Sequence, residues 1–182
     1  MGAAYFYHLT RHPLETALPQ LLEKAMGAGW RIEVRCTDIS RATWLDEKLW
    51  LGNENGFLPH GLAGGDHDHL QPVLISTQPI EDTHCIMAVD GADVSEEEVR
   101  SKERVCILFD GNDQDALLRA RAQWKMLSDA QCHTQYWSEE TGRWQKRPKR
   151  TSPNDQIDRL TFQDHLIIAD FNCSKFGQIP HT

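Results

Sequence analysis

Arg104-Val105-Cys106-Ile107-Leu108-Phe109, followed at once by Asp110-Gly111-Asn112-Asp113, decides how this chain folds. A short run of apolar side chains closed by a turn cluster reads as a strand. The Asp-Gly-Asn-Asp segment turns the chain, and a helix is predicted from about Asp113 to Ala130. On that helix Leu117, Ala120, Trp124 and Leu127 share one face. A strongly apolar strand leading into an amphipathic helix is the unit from which a parallel α/β sheet is built.

The same alternation runs outward in both directions. Residues 3–9 (Ala-Ala-Tyr-Phe-Tyr-His-Leu) read as a first strand. Pro13 to Ala28 reads as a helix with Leu14, Leu18, Leu21, Leu22 and Ala25 as its apolar stripe, Gly29 as its stop, and Pro19 as a blemish that delays the start or kinks it. Arg31 to Cys36 alternates polar and apolar residues and predicts a second strand. Thr37 or Asp38 caps a helix that runs to about Trp50, with Ala42, Leu45 and Leu49 as its core stripe. Gly52 to Gln71 is loop-like. Pro72–Ser76 and Cys85–Val89 are strand candidates, Val94–Arg100 a short acidic helix starting near Ser95. His133–Trp137 and Arg143–Gln145, around Glu140-Thr141-Gly142, form a small hairpin or an extended end. The predicted fold is a single small Rossmann-like α/β domain, with a mainly parallel sheet and helices on both faces. Such a fold does not itself license nucleotide binding.

The composition narrows the classes of function. The chain has 182 residues and a net charge of −8. A protein that grips nucleic acid by its phosphates usually carries a basic face, so direct DNA binding is not expected to be its main work, although a local basic pocket is compatible with the total. No apolar run approaches a membrane span, and no basic stretch precedes an apolar core at the N-terminus. Five scattered cysteines (Cys36, Cys85, Cys106, Cys132, Cys173) form no C-x-x-C and read as buried thiols of a cytoplasmic protein.

Two groups of residues suggest binding. Trp50 lies off the centre of its helix stripe, at the helix end, and Phe57 follows on a Gly-flanked loop. They read either as an aromatic hot-spot pair or as plugs for the sheet edge. Arg121 and Lys125 lie four apart beside Trp124, so a basic rim borders an aromatic. That pattern suits an acidic peptide ending in a bulky apolar residue, and equally a core tryptophan with solvated neighbours.

Three other features read as structural. His60 sits in a turn, Pro59 to Gly64, with no local nucleophile motif, and its expected role is a local hydrogen bond. His67 and His69 in Gly-Gly-Asp-His-Asp-His are metal-like in type, yet a polar loop explains them, and no metal is expected. Gly61–Gly65 lacks the Lys-Ser/Thr of a phosphate loop, and Thr10-Arg11-His12-Pro13 lacks the glycines of a dinucleotide fold. No cofactor is expected.

The block Leu45-Asp46-Glu47-Lys48-Leu49-Trp50, then Phe57-Leu58-Pro59-His60-Gly61-Leu62-Ala63-Gly64, resembles the chi subunit family of the bacterial DNA polymerase III holoenzyme. The resemblance runs from about Ala4 to about Lys146. It implies a non-catalytic clamp-loader accessory subunit that holds single-stranded DNA-binding protein (SSB) by its acidic C-terminal tail and meets DNA only indirectly. It implies that Trp50 and Phe57 serve the interface with psi, the subunit that tethers chi to the clamp loader, or with a helicase. It implies that Arg121 and Trp124 contact the SSB tail, with Lys125 and Arg119 in electrostatic support and an apolar contact near Phe109-Asp110. Two alternatives stand beside this: a binding module for a repair helicase, and a small Rossmann-like enzyme using a nucleotide or a loop metal near His60, His67 and His69. After Lys146 the sequence changes. Arg147, Lys149, Arg150, Arg159 and Lys175 nearly balance Asp155, Asp158, Asp164 and Asp170. Residues 147–182 are expected to be a poorly ordered extension outside the resemblance.

Overall fold

The computed structural model describes residues 2–52, 56–139 and 144–147. The expected extension, apart from the strand position of residue 147, lies outside the described residues, as do Cys173 and the tip of the expected hairpin. Eight strands are described: β1 (Ala3–Leu9), β2 (Ile32–Arg35), β3 (Gly61–Leu62), β4 (Val73–Ser76), β5 (Cys85–Val89), β6 (Arg104–Asp110), β7 (His133–Ser138) and β8 (Gln145–Arg147). Four α-helices accompany them: α1 (Leu14–Gly27), α2 (Ile39–Trp50), α3 (Glu96–Ser101) and α4 (Gln114–Asp129).

The strands form one sheet in the order β3-β4-β2-β5-β6-β1-β7-β8. Every neighbouring pair is parallel except β7 and β8, so the expected mainly parallel α/β sheet is observed and the expected hairpin is an antiparallel edge. The quoted apolar strand, β6, pairs with β1 from Ala3↔Arg104 to Leu9↔Asp110. Residues 105–109 are all buried, because side chains alternate between two covered faces. On one face Tyr7, Leu9, Ile32, Val34, Met87, Cys106 and Leu108 meet the apolar stripes of α1 and α2. On the other, α3 and α4 pack against β6, with α3 also against β1 and α4 against β7.

Local chemistry sets the helix ends. The Asp38 carboxylate accepts from the Arg41 N–H at 2.9 Å and starts α2. Ser95 and Glu98 cap α3 reciprocally. The Asp113 carboxylate accepts from the N–H groups of Asp115 and Ala116 and starts α4. Gly29, at φ +77°, follows α1 in the left-handed conformation that ends helices. Pro13 precedes α1 as its N-cap rather than opening it, and Pro19 lies inside the helix.

The alternation read in Arg31–Cys36 is where burial departs from expectation. All four residues of β2 are buried, Glu33 and Arg35 included. They face each other's charge instead of water. Arg35 Nε donates to Glu33 at 2.6 Å, Arg35 Nη2 donates to Glu98 of α3 at 2.6 Å, and Arg35 Nη1 donates to the Asp93 carbonyl at 3.1 Å. Glu33 also accepts from the Ile80 N–H at 3.1 Å. Burial alone would raise the Glu98 carboxyl, but the bonds from Arg35 and Ser95 outweigh it and hold it below the usual range. Replacing Arg35 with Leu strands the buried Glu33 carboxylate and removes the cation paired with Glu98. The expected loss is about 3–5 kcal/mol of unfolding free energy, read from urea denaturation at neutral pH.

Candidate functional site

In an open parallel sheet, ligands usually enter where neighbouring crossovers leave towards opposite faces. That point here is the carboxyl end of β1 and β6, because β1 leads to α1 on one face and β6 to α4 on the other. The chain fills this crevice itself. The Gly111 N–H donates to the Leu9 carbonyl at 2.8 Å and ties the two loops together. A Cβ at Gly111 would fall 1.9 Å from the His8 ring, so the close approach requires glycine. The His8 ring stacks on Phe109 at 5.2 Å, and the Tyr136 hydroxyl lies 2.6 Å from His8 Nδ1.

The first loop is occupied in the same way. The N–H groups of Thr10, Arg11 and His12 all point at one oxygen of Glu139, at 3.1, 3.0 and 2.9 Å. The other Glu139 oxygen lies 2.8 Å from His12 Nδ1. A cluster of backbone N–H groups at this place is what a phosphate would use. Here a carboxylate from the end of β7 takes it. Burial pushes the Glu139 carboxyl up, but the hydrogen bonds from the His12 N–H and ring, Arg11 and Thr10 outweigh burial and hold it below the ordinary range. Nothing in the local sequence marks Glu139 for this role, because its partners lie more than a hundred residues away.

The two predicted groups lie elsewhere. Trp50 ends α2 and is 56% exposed, and Phe57 is 77% exposed. Their ring centroids are 6.3 Å apart, with the exposed Leu51 next in the chain. The plug reading therefore does not describe them. His60 holds this patch from beneath. It is 2% exposed, and its ring lies 4.5 Å from that of Trp50. Its Nδ1 donates to the Leu58 carbonyl at 2.7 Å, while Nε2 lies 3.3 Å from the carbonyl and 3.6 Å from the carboxylate of Asp46, one turn before Trp50. So His60 makes the local hydrogen bond expected of it and also joins the loop to α2 under the aromatic pair.

On α4 the predicted stripe of Leu117, Ala120, Trp124 and Leu127 is buried. Trp124 is 3% exposed, edge-on to Phe6 at 4.9 Å and near Tyr136 at 6.5 Å. It is part of the core, and its ring does not form an open edge. Arg121 is half-buried, and its Nε has no hydrogen-bond partner among the described residues. Lys125 is exposed. Beside it runs an apolar line that the helix wheel of core positions did not single out: Leu118 at 57% exposed, Ala122, and Met126 at 46%. These fall four apart on the outer face. Arg119 is also exposed and lies across the turn at Gly91, where a Cβ would meet its guanidinium arm at 2.5 Å. Phe109 is buried and Asp110 exposed at the end of β6.

His67 and His69 lie on the exposed loop around a short 3-10 turn (Asp68–Leu70), where the Asp68 carboxylate accepts from the Gly64 and Gly65 N–H groups. No cluster of metal-ligating side chains occurs among the described residues. Cys36, Cys85, Cys106 and Cys132 are buried and free. Burial pushes the Cys36 thiol up to about 12, which suppresses the thiolate a nucleophile requires. Among the described residues no helix is long and apolar enough to cross a membrane.

Comparison with known proteins matches residues 1–135 to the family described as DNA polymerase III chi subunit, HolC. The DNA polymerase III subunit chi of Haemophilus influenzae is 30% identical over 76 residues, which is 40% of this chain and 53% of that protein. The chain thus spans about half the length of that curated relative in the match.

The Glu139 cradle has a pH signature. A carboxyl depressed in the folded state stabilises the fold fully above its unfolded value. That stabilisation is lost as pH falls through the folded value. Urea midpoints measured from neutral pH down into the acid range should fall for the wild type. Glu139→Gln should start lower and lose less across the same range. Parallel curves for the two proteins would contradict the cradle.

Proposed function

Because the chain belongs to the DNA polymerase III chi subunit family, we propose that it is a non-catalytic accessory subunit of that polymerase in DNA replication, joining the clamp-loader assembly to SSB. The observation that supports this reading is a pair of separate outward-facing patches, one at the end of α2 and one on α4, in a molecule whose β1-loop N–H groups are already taken by its own Glu139. One surface is Trp50, Leu51 and Phe57, propped by His60. It offers exposed aromatic anchors of the kind that dominate protein interfaces, and it would take psi or, in its place, a helicase.

The other surface is the outer side of α4. Arg121, Lys125 and Arg119 would take the carboxylates of the SSB tail, and the exposed Leu118, Ala122 and Met126 would take its apolar residues. Trp124 would act from within, fixing the helix on the sheet so that Arg121 is presented. Linking two modest contacts in one protein raises the effective concentration of polymerase at SSB-coated template. The fit of an enzyme is poorer. Glu139 already satisfies the N–H groups a phosphate would need, and burial pushes the Cys36 thiol up, away from the thiolate a nucleophile requires. The work is cytoplasmic, and SSB is the main route to DNA.

Anisotropy of a labelled peptide carrying the SSB C-terminus tests the tail surface. Arg121→Ala is expected to weaken binding about tenfold, the effect of losing a charge-assisted contact, with the thermal midpoint nearly unchanged. Binding should weaken as salt rises. Trp124→Ala is the wrong probe, since removing a buried tryptophan costs about 3–5 kcal/mol of stability. Trp50→Ala should leave tail binding intact and abolish capture of the psi or helicase partner in pull-downs. Tail binding that is indifferent to Arg121 and Lys125 would overturn the assignment of α4.

A further inference from the structure

A row of aromatic side chains crosses the sheet on the face opposite α4. The Arg104 guanidinium of β6 lies over the rings of Tyr5 at 4.5 Å and Trp30 at 5.0 Å. Tyr5 lies 6.2 Å from Trp137 of β7, Trp137 stacks on Tyr7 at 6.2 Å with 18° between planes, and Tyr7 meets Trp144 edge-on at 5.0 Å. Gln135 sits between, its amide 3.4 Å from the Tyr5 hydroxyl and from His133. Lys146 of β8 is directly across from Trp137 in the register and is exposed. On this side α1 packs on β2 and β6 and α2 on β3 and β4, and towards β7 these rings pack against the core among the described residues. Tyr5, Trp30, Trp137 and Trp144 each remain partly open to solvent.

The row joins rings and cations without a carboxylate among them. None of its side chains is acidic, in a chain of net charge −8. Arg104 and Lys146 make no ion pair among the described residues, whereas Arg31, Arg35, Arg41 and Arg100 are all paired with carboxylates. Partly open rings interleaved with unpaired cations, and with an amide able to hydrogen-bond a base edge, are the ingredients by which single-stranded nucleic acid is held without sequence preference. The parts of the rings left open would meet the bases, and Arg104 and Lys146 would meet the phosphates. An acidic peptide would satisfy the cations but would waste the planar rings.

We propose that the aromatic row Trp30–Tyr5–Trp137–Trp144, flanked by Arg104 and Lys146, is a weak binding surface for single-stranded nucleic acid. It lies on the opposite side of the sheet from α4, so strand and SSB tail could be held at once. The acidic remainder of the molecule keeps the contact local and salt-sensitive.

The test uses the full chain and fluorescein-labelled oligo(dT) in anisotropy at low salt, with intrinsic tryptophan fluorescence as a second signal. The expected result is salt-sensitive binding, tighter for oligo(dT) than for a duplex, with tryptophan quenching as bases stack. Lys146→Glu, at an exposed position on the edge strand, should weaken binding about fivefold or more with the thermal midpoint nearly unchanged, and Trp144→Ala by a similar factor. Arg121→Ala should leave oligo(dT) binding unchanged, and Lys146→Glu should leave SSB-tail binding unchanged, so the two surfaces fail independently. Absence of binding at low salt overturns the proposal. So does binding that survives both Lys146→Glu and Trp144→Ala, which would place the contact on other basic residues. Equal competition by polyglutamate and oligo(dT) overturns it in favour of an acidic polypeptide.

Discussion

Burial of both faces of the β1–β6 pair is the constraint on which the rest of this molecule depends. These parallel strands match residue for residue along their whole length. Parallel pairing demands long crossovers, and the crossovers must return over the faces as helices. Among the described residues their buried stripes leave the outer sides of the helices, the loops and the margins of the sheet for contact with anything else. The candidate surfaces lie there: Trp50 and Phe57 at the end of α2 and its loop, Arg121 and Lys125 on α4, and the aromatic row towards β7 and β8.

The same constraint accounts for the closed crevice. Bringing β1 and β6 together places their loops side by side at the point where open α/β proteins receive ligands. Gly111 lets β6 end against His8, and Glu139 comes from β7 to satisfy the N–H groups of the β1 loop. The fold is thus an open, mainly parallel sheet in which the chain's own Glu139 satisfies the N–H groups of the β1 loop. Lys102 behaves similarly with opposite charge. Its ammonium donates to the carbonyls of Ile80, Glu81 and Thr83, holding the loop before β5 as a bound cation would.

Most elements were legible because their signals are local. The apolar run at 104–109, the cap at Asp38 and the stripes Ala42-Leu45-Leu49 and Leu117-Ala120-Trp124-Leu127 need only neighbouring residues for their reading. The outward position of Trp50 followed from the same helix wheel. What was not legible depends on distant partners. Arg35 looked like the polar half of an alternating strand, and only Glu33 and Glu98 together make its burial tolerable. Glu139 finds its partners across the whole domain. For Trp124 periodicity left a core position and the border of a basic rim both open, because it places a residue on a face but does not say how deeply Phe6 and Tyr136 enclose it. The exposed line Leu118-Ala122-Met126 was present in the sequence, four residues apart, but a search for core positions passes over it.

The central claim is that the outer side of α4 receives the acidic SSB tail while the Trp50 face stays free for a polymerase-side partner. A two-dimensional nitrogen–proton NMR titration of the chain with the SSB C-terminal peptide tests it most directly. The account predicts shifts confined to α4, strongest between Leu118 and Met126, with the Trp50 indole signal unmoved. Shifts centred on Trp50 and Phe57, or no shifts at saturating peptide, would contradict it.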